Sequence, residues 1–479
     1  MKTRRSTRRH TLSFLVAAPL LALLTACGGG SGGSTAAATT TTPAAPTLTS
    51  IAVGPVNAVL AVGTTKQFVA TGTYSDGKTA ELKTDVVWSV AGDKASIIAT
   101  TGVATGKLAG LETVSAKVGS VTGSASVTVK APWTAMAGGG GHTVARKADG
   151  TISAWGLNRT GQLGDGSTAD KATPTVIGSA TNWSSISAGE FHTVALRADG
   201  SLWAWGSNFN GQLGDGTAID RAVPVKIGTT NNWVAIAAGK GHTLGVRADG
   251  TLWAWGRNFN GQLGDGTTID RVVPTKIGVL TGWKDVAAGD THSVARRSDG
   301  TVYAWGGNAN GQVGNATVLD VNVPTRVGTS TTSWLAVAAG AAHSMAVRAD
   351  GALFAWGSNA SGQLGSDTVG DVNAPAQVGL DTNWVTVAAG AAHALGVRSD
   401  GTLWSWGLNG NGQLGNGELY DSAQPVRIGL GTTWTAVAAG RQHSMALMAD
   451  GSLWIWGRDV EGQLGDGKLI DALRPVNLP

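Results

Sequence analysis

With 479 residues, 42% of them hydrophobic and only 14% charged, the chain is long and apolar enough to bury more than one core, which excludes a wholly disordered protein. Its formal charge of +4 is concentrated at one end: Lys2, Arg4, Arg5, Arg8 and Arg9 fall in the first ten residues, and without them 30 basic side chains face 31 acidic ones. That balance excludes the broad positive field of nonspecific nucleic-acid binding, so no nucleic-acid partner is expected.

The chain opens on a basic stretch, MKTRRSTRRH, followed by TLSFLVAAPLLALLTA, an apolar run too short to span a bilayer comfortably. Residues 1–26 therefore read as an export signal. Leu24-Thr25-Ala26-Cys27 resembles the bacterial lipobox, in which a cysteine is acylated and becomes the new N-terminus. Cys27 is the only cysteine, so no intrachain disulfide can form, and its position and neighbours favour lipid attachment over an incidental cysteine in an ordinary signal peptide. The expectation is an extracytoplasmic lipoprotein, held to the cell envelope through its anchor, at the outer membrane or cell surface. Arg8-Arg9 leaves twin-arginine export open, although Thr11 stands where that signal usually has an apolar residue. Residues 27–46 carry no charge and are rich in Gly, Ser, Thr and Ala, with Pro43 and Pro46, which makes them a flexible tether. Gly29-Gly30-Ser31-Gly32-Gly33 matches a hydrolase nucleophile elbow, but the match lies in low-complexity sequence without the strand-to-helix turn that gives the motif its meaning.

Between residues 47 and 130 the runs SIAVG, KQFVATGTY, VVWSV and SVTVK alternate in polarity and are separated by turn signals such as Asp76-Gly77 and Gly92-Asp93. They predict a small β-sandwich. With no disulfide to brace the sheets, Trp88 is the expected core anchor. The succession LTSIAV, VGTTKQFVATGTYSDG, VVWSV, GVATG and SASVTVK resembles the bacterial immunoglobulin-like domain, group 2, which implies a spacer or adhesive unit on a cell surface.

Residues 131–479 hold one unit seven times. Trp-Gly begins at Trp155, Trp205, Trp255, Trp305, Trp356, Trp406 and Trp456; a further Trp opens each unit, at Trp133, Trp183, Trp233, Trp283, Trp334, Trp384 and Trp434, and a histidine follows nine residues later. So regular a period defines the architecture. Within a unit WVAIAAG, HTLGVR and TLWAWG predict three strands, with Gly250 supplying the positive φ of an ADG hairpin, and VPVKIG predicts a short fourth. Four strands, seven units and no helical period predict an all-β protein: a seven-bladed β-propeller behind an N-terminal immunoglobulin-like β-sandwich. The termini of the propeller should meet, either sharing a blade or closing between neighbours.

Seven equivalent copies argue against reading the recurrent His and Asp residues as catalysts, because a catalytic constellation places each residue in a different environment. The histidines are expected to tie an inner strand to its neighbour by hydrogen bonds rather than to form a ring of metal ligands. Asp170, Asp220, Asp270, Asp320, Asp371, Asp421 and Asp471 are expected to cap turns rather than bind calcium. Gly410-Asn411-Gly412-Gln413-Leu414-Gly415 spells a dinucleotide fingerprint with no helix after it, so no cofactor and no metal is expected.

The recurring AGxxHT, DGxLWxWGxN and GQLGxG resemble the regulator of chromosome condensation repeat family, over all of residues 131–479, with Ser153 and Gln312-Val313-Gly314 as small departures. The resemblance implies a seven-bladed propeller. Guanine-nucleotide exchange, as in the eukaryotic relative, is not carried over, since the exchange-active residues lie outside the repeat motif. The photosensing Gly-Trp-Arg-His-Thr motif of a plant relative is also absent: the corresponding places read GGGHT, GEFHT, GKGHT, GDTHS, GAAHS, GAAHA and GRQHS. A secreted bacterial inhibitor of β-lactamase with this fold is the precedent that fits an exported chain. The resulting expectation is a monomeric, nonenzymatic protein- or glycan-binding module, with an extracytoplasmic hydrolase or lyase using the central face as the alternative. Function should lie where copies differ, which singles out Glu190, Phe191, Lys240, Asp290 and Arg441 before the histidines, and Phe209 and Phe259 after Trp-Gly.

Overall fold

Alternating Val, Thr and Ala in the first domain build three short sheets around one core in a computed structural model that describes residues 44–328, 333–366, 370–431 and 433–478. The export signal, Cys27 and most of the tether lie outside the described residues. Leu48–Gly54 pairs with Val69–Tyr74 and Val121–Lys130 with Gly110–Val118, and between these layers Trp88, Phe68, Val114 and Val127 are buried. KQFVATGTY is not one strand: it breaks at the buried Phe68, so that Thr65–Gln67 pairs with Val103–Gly106 while Val69–Tyr74 pairs with Leu48–Gly54. A run of alternating residues cannot reveal such a switch of partners, because both halves keep the period of two.

Seven four-stranded antiparallel sheets follow, each drawn from one continuous stretch of chain. In the second blade the strands are Trp183–Ala188, His192–Arg197, Leu202–Gly206 and Arg221–Lys226. The fourth strand starts and ends two residues earlier than VPVKIG implies. It is the outer edge of the blade, and the proline that every copy carries there, Pro224 in this one, is compatible with an edge and discourages further strands from adding. At the inner hairpins Gly250 has φ 76°, as its place in the ADG turn requires.

The cores lie between blades rather than within them. Val144, Ile152, Leu163 and Ile177 of the first blade pack against Trp183 and Trp205 of the second, and the same arrangement recurs around the ring. Met445, Leu447, Leu453 and Ile455 of the seventh blade pack on Trp133 and Trp155 of the first. No blade is shared between the two ends; the ring closes between neighbours, with Trp155 Nε1 donating to the Gln463 carbonyl at 2.9 Å. Each opening tryptophan also meets the aromatic of the third strand edge-on, as Trp183 does Trp203 at 6.0 Å, and Arg197 lies over both rings. Where Ser153 replaces that aromatic in the first blade, Lys147 replaces the arginine and covers Trp133 alone.

The histidines complete the frame. His142 reaches Thr193 of the next blade, His192 reaches Thr243, His242 Ser293, His292 Ser344 and His393 Ser444, while His443 closes the circle on Thr143, all at 2.9–3.0 Å. Each of these six hydroxyls also sits 2.7–2.8 Å from the carbonyl of a Gln such as Gln162 or Gln463, to which it must donate. A hydroxyl has one hydrogen, so it accepts from the imidazole, and the histidines carry their proton on Nε2. Burial drives their pKa down to about 3, which keeps them neutral. The glycine three residues before each one is a packing requirement: a Cβ on Gly189 would lie 2.3 Å from His192 Cε1 and 2.4 Å from the Gly239 carbonyl oxygen.

One link is broken. Ala394 stands where the other blades have Thr or Ser, and both ring nitrogens of the buried His343 lack a hydrogen-bond partner. Ala394→Ser restores an acceptor for His343 Nε2 and a donor to the Gln363 carbonyl, and should raise the stability of the propeller by about 1 kcal/mol. Thermal or urea unfolding of the two proteins checks this; an unchanged or lower midpoint contradicts it.

Candidate functional site

The first strand of each blade ends, and the third strand ends, on the same side of the ring. Main-chain bonds show it directly: Ser207 N–H donates to the Phe191 carbonyl at 2.7 Å, and Arg257 N–H to the Gly241 carbonyl at 2.8 Å. This loop face therefore carries both sets of residues in which the copies differ. The chain enters the propeller from the opposite side, because Trp133, three residues after the strand ending at Lys130, bonds to the turn carbonyl of Gly451.

The long loops are held by a repeated knot of side chains. Asn208 Oδ1 accepts from Leu213 N–H, its amide nitrogen donates to Asp215, and to the carbonyls of Thr217 and Ile219 at 3.0 and 3.2 Å, and Asp220 accepts from Asn208 N–H at 2.7 Å. The recurrent aspartates thus cap main-chain donors, as their position implies. Asn210 extends from this loop to Asp270 of the next blade, at 3.3 Å.

At the axis, small residues such as Gly189, Gly239 and Ala288 line a cavity of about 80 Å³. Four of the singled-out residues converge over it. Lys240 lies 3.6 Å from Glu190 and 3.7 Å from Asp290, and Arg441, from the seventh blade, spans the opening to reach Glu190 at 3.4 Å and Asp290 at 3.2 Å. The quartet is neutral, half-buried and loosely paired, and long ion pairs in contact with water contribute little to stability, so a charged ligand group could re-pair them at small cost. Phe191, Phe209 and Phe259 do not join this cluster. They stand separately on the same face, 39%, 83% and 74% exposed.

Sequence reasoning passed over a further set. The residue before each recurrent aspartate is Ile219, Ile269, Leu319, Tyr420 or Ile470 in five blades, and all five are exposed, so the outer edge of the loop face carries an apolar fringe. The sequence signal is the recurrence of an apolar residue directly before a constant aspartate.

Residues 149–196, 199–246 and 249–296 match the regulator of chromosome condensation (RCC1) repeat, residues 278–479 the RCC1-like domain, and residues 47–129 the bacterial Ig-like domain (group 2). The chain is an RCC1-repeat propeller preceded by a bacterial Ig-like domain. Among solved structures, human WBSCR16 aligns with a TM-score of 0.64 at 25% identity, covering 69% of this chain and 94% of that one. Prp20p of Saccharomyces cerevisiae, described with its binding to Gsp1p and histones, aligns with a TM-score of 0.61 at 25% identity over 70% of this chain and 87% of its own. Ice-binding protein 1 of Shewanella frigidimarina is 46% identical over 74 residues, which are 15% of this chain and 8% of that protein. The likeness to that relative is thus confined to a small part of both chains.

One copy of the RCC1-repeat knot departs from the pattern in a way that titrates. Asp459 stands in the seventh blade where the other six have Asn; its Oδ1 accepts from Leu464 N–H at 2.7 Å, leaving Oδ2 where the amide nitrogen donates elsewhere, buried and without a partner. Burial raises its pKa to about 6; the Leu464 amide opposes the shift and the carboxylates of Asp466 and Asp471 add to it. Since the folded value lies above that of an unfolded aspartate, the favourable contribution is complete below about pH 4 and is lost as the pH rises through about 6. Asp459→Asn should therefore stabilise the propeller at pH 7.5, by a gain on the order of 1–2 kcal/mol, and make little difference at pH 4. Melting curves of both proteins across pH 4–8 test this; equal midpoints at pH 7.5 would rule out the buried carboxylate as a cost.

Proposed function

We propose that this chain is an exported bacterial envelope protein whose RCC1-repeat propeller is a binding module for a protein or glycan, carried on the Ig-like domain and tethered through a lipid on Cys27. One observation carries the reading: seven side chains in which the copies differ stand on one face of the ring, and four of them converge at its axis. Glu190, Lys240, Asp290 and Arg441 meet at its centre, and Phe191, Phe209 and Phe259 stand exposed around it. Isolated exposed phenylalanines gain nothing from folding, whereas aromatic and arginine side chains dominate the energetics of interfaces. The order of the chain supports the same direction of display, since the Ig-like domain joins the propeller on the side away from this face. An extracellular setting agrees with the group 2 Ig-like domain and with the partial likeness to a bacterial ice-binding protein.

The test is capture. The full chain, immobilised through its N-terminus, is expected to retain a component of envelope or host-surface extracts, and the triple variant Phe191→Ala, Phe209→Ala, Phe259→Ala to melt as the parent does while losing at least about tenfold in retention. Undiminished retention by the triple variant contradicts the assignment of this face; steady turnover of a polysaccharide by the purified protein favours an enzyme instead.

A further inference from the structure

The loop face is uneven around the ring. Immediately after Trp-Gly the blades carry Leu157, Ser207, Arg257, Gly307, Ser358, Leu408 and Arg458, so the fourth alone has no side chain there. Two residues later the large Phe209 and Phe259 of the second and third blades give way to Ala309 in the fourth. In the fifth blade the pair before the histidine is Ala341-Ala342. These deletions coincide, and together they open a cleft of about 260 Å³ between the third, fourth and fifth blades.

The cleft is lined by small side chains and by hydrogen-bonding groups that are held in place. Its floor is Gly307, Ala309 and the two alanines, and its walls are Asn260, Asn310, Asp290, Asp320 and Thr291, with no large apolar side chain among the lining residues. Asn260 Nδ2 donates to Asp320 Oδ2 at 2.9 Å, Asn308 N–H donates to Asp320 Oδ1 at 2.8 Å, and Asn310 Nδ2 is tied to Asp371 Oδ2 at 2.6 Å. The wall groups are thus oriented before any ligand arrives, which lowers the cost of binding. Gly307 cannot be filled without moving Thr291, whose Oγ1 lies 2.5 Å from where a Cβ would stand. Asp290 lines both the cleft and the axial cavity, so the cleft lies beside the axial quartet.

We propose that this cleft is a saccharide subsite that takes one uncharged sugar ring of an oligosaccharide; the inference rests on the reading of the loop face as a binding surface and names its ligand class. Carboxamides and carboxylates in fixed planes match neighbouring hydroxyls, which both donate and accept. A large apolar peptide anchor would need large apolar side chains around it to repay its desolvation, and none lines the cleft. Two carboxylates in the walls oppose an anionic sugar. The volume, just below the roughly 300–1,000 Å³ of a drug-sized pocket, suits a single ring. Phe259, next to Asn260 in the chain and 74% exposed, offers an aromatic face to the apolar side of an adjoining ring.

Titration calorimetry of the full chain against neutral tetrasaccharides of β-linked glucose and of β-linked N-acetylglucosamine tests the proposal. At least one should bind with a Kd below about 1 mM. Ala309→Phe, which installs the residue that the second and third blades already carry, and Asn260→Ala should each weaken that binding by at least about tenfold without lowering the melting temperature. Leu380→Ser, on the opposite face, should leave it unchanged. Absence of binding to either sugar, or binding indifferent to both cleft variants, overturns the proposal. If a protein is retained through the three phenylalanines while neither sugar binds, only the saccharide subsite falls; if nothing is retained at all, the reading of the face falls with it.

Discussion

The structure depends on a buried relay of imidazole, hydroxyl and carbonyl. In one step around the ring, His142 donates to Thr193, which donates to the Gln162 carbonyl; the first and last belong to one blade and the middle one to the next. A hydroxyl buried between blades would otherwise be a liability of a few kcal/mol, since a buried polar group without a partner loses its hydration for nothing. Satisfied on both sides, it fixes the rotation of each sheet against its neighbour more sharply than the greasy contact of Leu163 or Ile177 with a tryptophan could alone. The relay also sets the local path of the chain. Because the ring of His192 lies where a side chain on Gly189 would be, the turn carrying Glu190 and Phe191 is held tightly over the axis.

From this follows the division of the molecule into a frame and a face. The frame residues are consumed by their own contacts: the histidines are buried and neutral, the opening tryptophans are buried, and the aspartates are occupied with main-chain donors. What remains available to a partner is set by positions that the frame leaves free, namely the two residues before the histidine and the tips of the long loops. At those positions neighbouring blades carry Glu, Lys and Asp in turn, and the resulting charges compensate one another across the axis instead of repelling.

The architecture was legible in the sequence because repetition multiplies a weak signal. One copy of WVAIAAG or TLWAWG is an ambiguous apolar run, but seven copies at a nearly constant step leave a single closed arrangement in which every blade buries the same face. The structural role of the histidines was legible for the same reason. Less legible was anything that joins distant copies. Glu190 and Arg441 were each notable as departures from the repeat, yet that they meet depends on the closure of the ring, which sets the second and seventh blades around one axis. The break in KQFVATGTY at Phe68 was hidden by an unbroken alternation. The cleft was hidden more deeply, because Gly307, Ala309, Ala341 and Ala342 are individually unremarkable and acquire meaning only where three blades place them together.

The contrast between Gly307 and Asp459 shows how such a protein can acquire a site without weakening its frame. Both are departures from the repeat in the same loop. Asp459 alters a buried member of the knot, replacing an amide that donates to carbonyls with a carboxylate oxygen that has no partner, and it carries the cost in its own raised pKa. Gly307 and Ala309 alter only what projects from the knot: Asn308 between them keeps the contacts of its equivalents, with Val313 N–H donating to its Oδ1 at 2.9 Å and its amide nitrogen reaching the Thr317 and Leu319 carbonyls at 3.0 Å. Removing side chains from the face therefore makes space at no expense to the hydrogen bonds beneath. A specific cleft can arise on one sector of the ring while every relay below it, except the one ending at Ala394, stays intact.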